Sequence, residues 1–315
     1  MVSRFAPSLT GYLHLGHVLH MLYVWGIARA KGGRVISRIE DHDLSRRRPE
    51  YESAILETMA WLGFVPDEGI MPAAQWIRSF GGTTSVSSSG RGMARPATEE
   101  RSDYRQSDCD DQYERMLQRL NAHGLVYGCE CTRKQIIDEQ SDEAAELCYT
   151  GTCSDKGLPL VGNTVRFRVP ADEVAFEDLR LGACRQIPRQ QCGDFSLRDR
   201  QGQWTYQFAC VCDDIRHGVD WVIRGEDILA STARQILLFQ ALDAPVPTYF
   251  HHPLICDESG EKLSKRQRSE SISQLRDAGI PAEEIIGRAV FAAGFMRVPA
   301  PLSLDDALTL VTEKK

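Results

Sequence analysis

Residues 4–17 read Arg4-Phe5-Ala6-Pro7-Ser8-Leu9-Thr10-Gly11-Tyr12-Leu13-His14-Leu15-Gly16-His17, and the way this stretch folds decides the rest of the chain. Arg4 to Pro7 has the character of a short strand that runs into the loop Ser8-Leu9-Thr10-Gly11. Beyond the loop, Leu15, Val18, Leu19, Leu22 and Tyr23 recur at helical spacing until Gly32-Gly33 ends the helix. Arg34-Val35-Ile36-Ser37-Arg38-Ile39 is the next strand, with Glu40 at its end. Strand, helix and strand in this order form a βαβ unit, which predicts a parallel sheet.

His14 and His17 therefore sit where a strand turns into a helix. A helix N-terminus offers N–H groups and the positive end of the helix dipole to phosphate. Gly16 lets a nucleotide approach the backbone closely. Imidazoles three residues apart share a helix face and can donate to phosphate oxygens as charge develops there. Taken alone, the pair reads as easily as two surface histidines. A second element lies far downstream: Glu261-Lys262-Leu263-Ser264-Lys265-Arg266, after a strand and the turn Asp257-Glu258-Ser259-Gly260. Lys262 and Lys265 are compact charges suited to phosphate and Ser264 adds a hydroxyl, although solvated charge runs are common.

Working outward, a helix is expected over 51–62, with Ile55, Leu56, Met59 and Leu62 on one face. Residues 79–108 contain the run Gly81-Gly82-Thr83-Thr84-Ser85-Val86-Ser87-Ser88-Ser89-Gly90 and are expected to form a flexible insertion. A helix over 112–123 leads to a cysteine cluster, and 164–169 reads as a strand. From Trp204 the alternation resumes: strands over 206–211, 221–224 and 248–255, with a helix over 231–242 and a largely helical end. The expected fold is α/β, a Rossmann-type parallel sheet split by a metal-bearing insertion and followed by a short helical C-terminal region. The expected division is 1–108 and 196–260 for the two halves of the sheet domain, 109–195 for the insertion and 261–315 for the end.

His14-Leu15-Gly16-His17 and Lys262-Leu263-Ser264-Lys265, in that order across a split α/β fold, resemble the two signatures of class I aminoacyl-tRNA synthetases. Arg4-Phe5-Ala6-Pro7-Ser8 is similar to the opening of bacterial glutamyl enzymes, with Leu9 in place of their usual Pro. Glutaminyl enzymes usually carry a Glu near Ser8, so glutamate is preferred. The resemblance implies His14, Gly16, His17, Lys262, Ser264 and Lys265 at ATP, with His14, His17, Lys262 and Lys265 acting in catalysis. It implies Arg4, Phe5, Ala6, Pro7, Ser8, Glu40, Tyr206 and Arg224 at glutamate. The chemistry of these residues agrees: Arg4 and Arg224 can fork onto carboxylates, Glu40 can hold an ammonium at a strand's carboxyl end, and Tyr206 supplies a hydroxyl.

Cys129-Glu130-Cys131 is followed by Cys148, Tyr149 and Cys153. Two thiols plus a third can hold Zn²⁺ with a fourth donor, and a set of packed thiols is the plainer alternative. Two Cys followed by Tyr-x-x-x-Cys resembles the short glutamyl-queuosine tRNA(Asp) synthetases, which implies one structural Zn²⁺ on Cys129, Cys131, Tyr149 and Cys153. Cys148 stays open as the fourth ligand. Cys210, Cys212 and Cys256 are expected to be core packing.

Only 49 residues follow Arg266, whereas a full glutamyl-tRNA synthetase carries a large anticodon-binding region there. The resemblance therefore implies ATP, Mg²⁺ and L-glutamate as reactants, and queuosine in tRNA(Asp) as acceptor. A glutamyl-tRNA synthetase body charging a tRNA 3′ end and a non-enzymatic glutamate- or RNA-binding relative remain alternatives. The chain has 315 residues and a formal charge of −7, so bulk electrostatics gives nucleic-acid binding no help. No run approaches the ~20 apolar residues of a membrane span, and the first residues lack a signal-peptide core. A cytoplasmic monomer without a disulfide framework for its ten cysteines is expected.

Overall fold

A computed structural model describes residues 1–43, 48–73, 101–138, 147–255 and 270–313. The Ser/Gly run, Cys256 and the segment holding Lys262, Ser264 and Lys265 lie outside them.

Strand β1 (Val2–Phe5) and strand β2 (Arg34–Ser37) pair in parallel, with Arg4 opposite Ile36 and Phe5 opposite Ser37. Helix α1 (Leu15–Ala30) is the crossover between them. The short β3 (Glu68–Gly69) extends this sheet after helix α2 (Pro49–Leu62). Pro at the helix start and Gly63 in the left-handed region after it bound α2 in the expected way. On the other side of β1 lies β9 (Trp221–Gly225), where the Asp220 amide donates to the Val2 carbonyl at 3.2 Å. β10 (Thr248–His252) pairs in parallel with β9 and then with β6 (Val174–Asp178). Parallel pairing through crossover helices is the expected architecture.

β6 and β7 (Gly182–Gln186) form an antiparallel hairpin on the edge of the β9–β10 sheet, so 174–186 belongs with the parallel strands. The separate antiparallel sheet consists of β4 (Val126–Cys129), β5 (Thr164–Phe167) and β8 (Ser196–Arg198), beside helix α3 (Asp110–Ala122). Tyr206 to Val211, expected as a strand, opens helix α4 (Tyr206–Arg216). Its buried Phe208, Ala209 and Cys212 stand at helical spacing, and a six-residue, mostly apolar stretch is too short to separate the two periods. Cys210 and Cys212 are buried in this helix. Residues 101–108, expected within the flexible insertion, are packed instead. Ile39 donates to the Tyr104 carbonyl at 2.9 Å, and Gln106 donates to the Ile39 carbonyl at 3.1 Å.

Helix α1 is apolar nearly all round, Val18 to Ala28 being largely buried, because it is covered on both sides. One side faces the parallel strands. The other meets α7 (Ala282–Ala292) and α8 (Leu304–Glu313), which follow helices α5 (Thr232–Ala241) and α6 (Ile272–Asp277). A second core joins the antiparallel sheet to α4, α5 and β9. No helix is long and apolar enough to cross a membrane among the described residues.

Gly287 in α7 tests this packing. A Cβ there would collide with the Ala300 carbonyl oxygen, in the segment that hydrogen-bonds back to α7 through Leu302 and Glu283. Elsewhere in a helix, Gly→Ala stabilises by about 0.5–1 kcal/mol. Gly287→Ala is expected to have the opposite sign, losing about 1–3 kcal/mol to overpacking, as read from denaturant unfolding. A gain in stability would show that the C-terminal helices are not seated this way.

Candidate active site

The carboxyl ends of β1, β2, β9 and β10 converge on one edge, where open α/β sheets bind ligands. His14 is the N-cap of α1, and its Nδ1 accepts from the Gly16 amide at 3.1 Å. His17 Nδ1 in turn accepts from the His14 amide at 3.1 Å, so the two rings form a reciprocal capping box. A neutral imidazole that accepts at Nδ1 carries its proton on Nε2. This tautomer, assigned from the partners, makes both rings donors. A Cβ at Gly16 would press on the His14 ring at 3.0 Å, so glycine here also keeps the cap intact. Leu9 is buried in the core beneath the loop, which anchors the chain where the resembling enzymes use Pro.

Below the helix start lies a buried charge cluster. Arg4 Nε donates to Asp214 at 3.1 Å and Arg4 Nη1 to the Ile223 carbonyl at 3.3 Å. Arg38 Nη1 donates to the same Asp214 oxygen at 2.5 Å, while Arg38 Nη2 reaches Glu40 at 3.3 Å. Burial opposes the Asp214 carboxylate, but Arg4 and Arg38 outweigh it and hold its pKa below the ordinary range. Burial raises the pKa of Glu40 against the pull of Arg38. Tyr206, in the first turn of α4, is likewise raised by burial. A cavity of about 110 Å³ lies against this cluster, lined by Ser8, Leu9, Thr10, Glu40, Asp41, His42 and Asp43.

Arg224 differs from Arg4 and Arg38. It is 3% exposed, yet its partners are neutral: His251 Nε2 at 3.0 Å, Gln235 Oε1 at 2.6 Å and Thr232 Oγ1 at 2.8 Å. No carboxylate is among its hydrogen-bond or ion-pair partners in the described residues. A buried guanidinium in this state is poised for an anion from outside the protein. Arg4, by contrast, already spends Nε on Asp214.

The expected metal ligands also come together. The sulfurs of Cys129, Cys131 and Cys153 lie within 4.8 Å of one another. The Tyr149 hydroxyl sits 3.3 Å from the Cys129 sulfur and 3.5 Å from that of Cys131, and it accepts from the Cys153 amide at 2.9 Å. Cys148 points elsewhere, its thiol donating to the Arg189 carbonyl at 3.7 Å. Burial works against the Cys153 thiolate, but hydrogen bonds from Tyr149 and the Glu130 backbone bring its pKa down to about 7. Burial pushes the Cys131 thiol up to about 11. Three thiols and one oxygen at these separations fit a single tetrahedral ion. Arg166 lies 3.8 Å over the Tyr149 ring and holds its orientation.

Sequence reasoning missed Arg38, Asp214, Asp178 and His251. Arg38 and Asp214 are 176 residues apart, and Asp178 and His251 are 73 apart. Arg38 carried the one local signal, a charge inside an apolar strand two residues before Glu40.

Residues 1–297 match the family of tRNA synthetases class I (E and Q), catalytic domain. The chain is 36% identical to a glutamyl-Q tRNA(Asp) synthetase of Nitratidesulfovibrio vulgaris, over 98% of this chain and 91% of that protein. It is 34% identical to a glutamate–tRNA ligase of Frankia casuarinae, over 89% of this chain and 53% of that protein. In three dimensions it is similar to the glutamate tRNA ligase of Elizabethkingia meningosepticum, solved in complex with its amino acid. The TM-score is 0.75 and the identity 26%, with 98% of this chain matched and 64% of that one spanned.

Asp214 gives the cluster a measurable signature. Asp214→Asn leaves Arg4 and Arg38 buried without their shared anion and is expected to cost about 3–5 kcal/mol in urea unfolding at neutral pH. The sign of the pH dependence follows from the depressed folded-state pKa. The stabilisation is present above the unfolded carboxylate value of about 3.9 and is lost as pH falls through the lower folded value. The wild-type advantage over Asp214→Asn should therefore persist at pH 5. A difference that vanishes by pH 5 would contradict the assignment.

Proposed function

The chain belongs to the class I tRNA synthetases of the Glu and Gln type, and we propose that it activates L-glutamate with ATP and transfers the glutamyl group to queuosine in the anticodon loop of tRNA(Asp). The observation that carries the glutamate reading is Arg224, a buried cation with neutral partners at the carboxyl edge of the sheet. It fits a carboxylate of the substrate, with Arg4, Tyr206 and the backbone of Phe5, Ala6, Pro7 and Ser8 around it. Glu40 takes the substrate ammonium, whose charge opposes the upward pull of burial on the Glu40 pKa.

In the first step an α-carboxylate oxygen of glutamate attacks the α-phosphorus of ATP. A carbon–oxygen–phosphorus linkage forms, the bond to the bridging oxygen breaks, and pyrophosphate leaves. His14 and His17, held as donors by their reciprocal caps, stabilise the charge on the phosphate oxygens, and Gly16 leaves the nucleotide room. Lys262, Ser264 and Lys265 complete the phosphate site in this reading. Mg²⁺ accompanies ATP and shares its charge. In the second step a hydroxyl of the acceptor attacks the acyl carbon and AMP leaves. The protein contributes position and charge rather than a nucleophile.

The acceptor reading is supported by similarity to a relative named glutamyl-Q tRNA(Asp) synthetase along 91% of its length. Similarity to glutamate–tRNA ligases favours a second reading, in which the acceptor is a tRNA 3′ end. For the metal, Zn²⁺ on Cys129, Cys131, Tyr149 and Cys153 is the proposed occupant. It would tie the end of β4 to the segment 149–153 as a structural crosslink.

Activation, transfer and metal content each test this. The protein should catalyse glutamate-dependent ATP–pyrophosphate exchange without tRNA, glutamine being a poor substrate. Arg224→Gln should lower kcat/KM for glutamate by roughly 30-fold to several thousand-fold, equivalent to about 2–5 kcal/mol. Labelled glutamate should then appear on the queuosine nucleotide of tRNA(Asp) and not on tRNA lacking queuosine. Label recovered on the 3′ terminal nucleotide would replace this reading with the second. For the metal, elemental analysis should find one zinc per chain. Cys131→Ser should release most of it and Tyr149→Phe less, because a phenol is the weaker ligand. Zinc content unaffected by Cys131→Ser would reduce the cluster to packed thiols.

A further inference from the structure

Arg224 is aimed by a second layer of buried groups. Its Nε–H donates to His251 Nε2 at 3.0 Å. The Thr232 hydroxyl lies 3.1 Å from the same nitrogen and accepts from Arg224 Nη2, so its own proton is directed at His251. On the far side of the ring, His251 Nδ1 stands 2.7 Å from Asp178 Oδ2. Asp178 and His251 side chains are both fully buried. Asp178 also accepts from the amides of His251, Arg180 and Leu181, each at 3.0 Å, so its acceptor positions are fixed by the backbone of β10 and of the turn between β6 and β7.

We infer that Asp178 and His251 are a positioning pair for Arg224: the carboxylate fixes the proton of His251 on Nδ1, and the bare Nε2 then orients the guanidinium toward the substrate carboxylate. The inference rests on the reading of Arg224 as the partner of a glutamate carboxylate. Its logic is one of charge. A carboxylate placed directly on Arg224 would orient it but spend its charge inside the protein, as Asp214 does in part for Arg4 and Arg38. An imidazole interposed between Asp178 and Arg224 passes on the orientation while the cation keeps its charge for the substrate. Only one tautomer does this, because a proton on Nε2 would face the Arg224 Nε–H and the Thr232 hydroxyl. Burial and Arg224 together keep His251 neutral despite Asp178, while the bonds that His251 and the backbone give Asp178 keep it ionised. The pair thus belongs to β6 and β10, strands that the sequence pattern does not connect.

The test uses the full chain and ATP–pyrophosphate exchange, with KM measured separately for glutamate and ATP. Asp178→Asn releases the tautomer, so KM for glutamate should rise at least tenfold while KM for ATP stays within about twofold. His251→Gln supplies a carbonyl acceptor that needs no tautomer. In that background Asp178→Asn should change KM for glutamate by less than about threefold. A purely structural Asp178 would raise it by the same factor in both backgrounds, and that result overturns the proposal. A wild-type measurement needs no variant to fold: ¹⁵N NMR of the imidazole should show a protonated Nδ1 and a bare Nε2 at His251, and the reverse pattern also overturns it. Arg224→Gln separates the two levels. If it leaves KM for glutamate unchanged, the reading of Arg224 itself fails. If it raises KM while Asp178→Asn does not, only the positioning pair fails.

Discussion

One carboxylate, Asp214, lies between two buried guanidiniums, and the arrangement of the site depends on it. Arg4 comes from β1, Arg38 follows β2, and Asp214 comes from α4, more than 170 residues later in the chain. None of the three side chains is more than slightly exposed. Buried ions at this density are costly unless they are paired and hydrogen-bonded. The cluster therefore fixes the distance between the first βαβ unit and the second half of the sheet. That distance sets where Glu40 and Arg224 stand relative to the histidine caps.

Two kinds of buried arginine follow from this. Arg4 and Arg38 share one carboxylate within the protein, with Glu40 also on Arg38, and join elements of the fold. Arg224 is oriented by neutral acceptors and keeps its charge. The same residue type thus has opposite uses at neighbouring positions, decided by whether its partner is a carboxylate or an imidazole. In the proposed reading, a substrate with two carboxylates and one ammonium meets both signs here, with Glu40 supplying the negative one.

The parts legible in the sequence were those whose chemistry is local. His14, Gly16 and His17 form their caps with one another within four residues, and the βαβ pattern around them needs only the helical period of α1. Cys129, Cys131, Tyr149 and Cys153 were named from a family resemblance whose residues lie close along the chain, and the structure adds that the Tyr149 hydroxyl lies beside the thiols while the Cys148 thiol turns to the Arg189 carbonyl. What was not legible depends on pairing across distance. The β6–β7 hairpin joins the main sheet, and Asp178 reaches His251, through contacts that leave no periodic trace. Helix α4 was hidden because Asp213 and Asp214, which look like surface residues, point into buried partners and break the amphipathic pattern.

The seam between β1 and β9 also constrains the order in which the chain acquires structure. The Val2 amide donates to Asp220 across 218 residues, and α1 is enclosed only when α7 and α8 arrive from the far end. Contacts of such separation form late, because the intervening chain must first lose its freedom. The antiparallel sheet with its cysteine cluster closes over much shorter loops. During synthesis the cysteine cluster can therefore close while α1 still waits for α7 and α8, and the first βαβ unit is fully enclosed only after those helices have emerged.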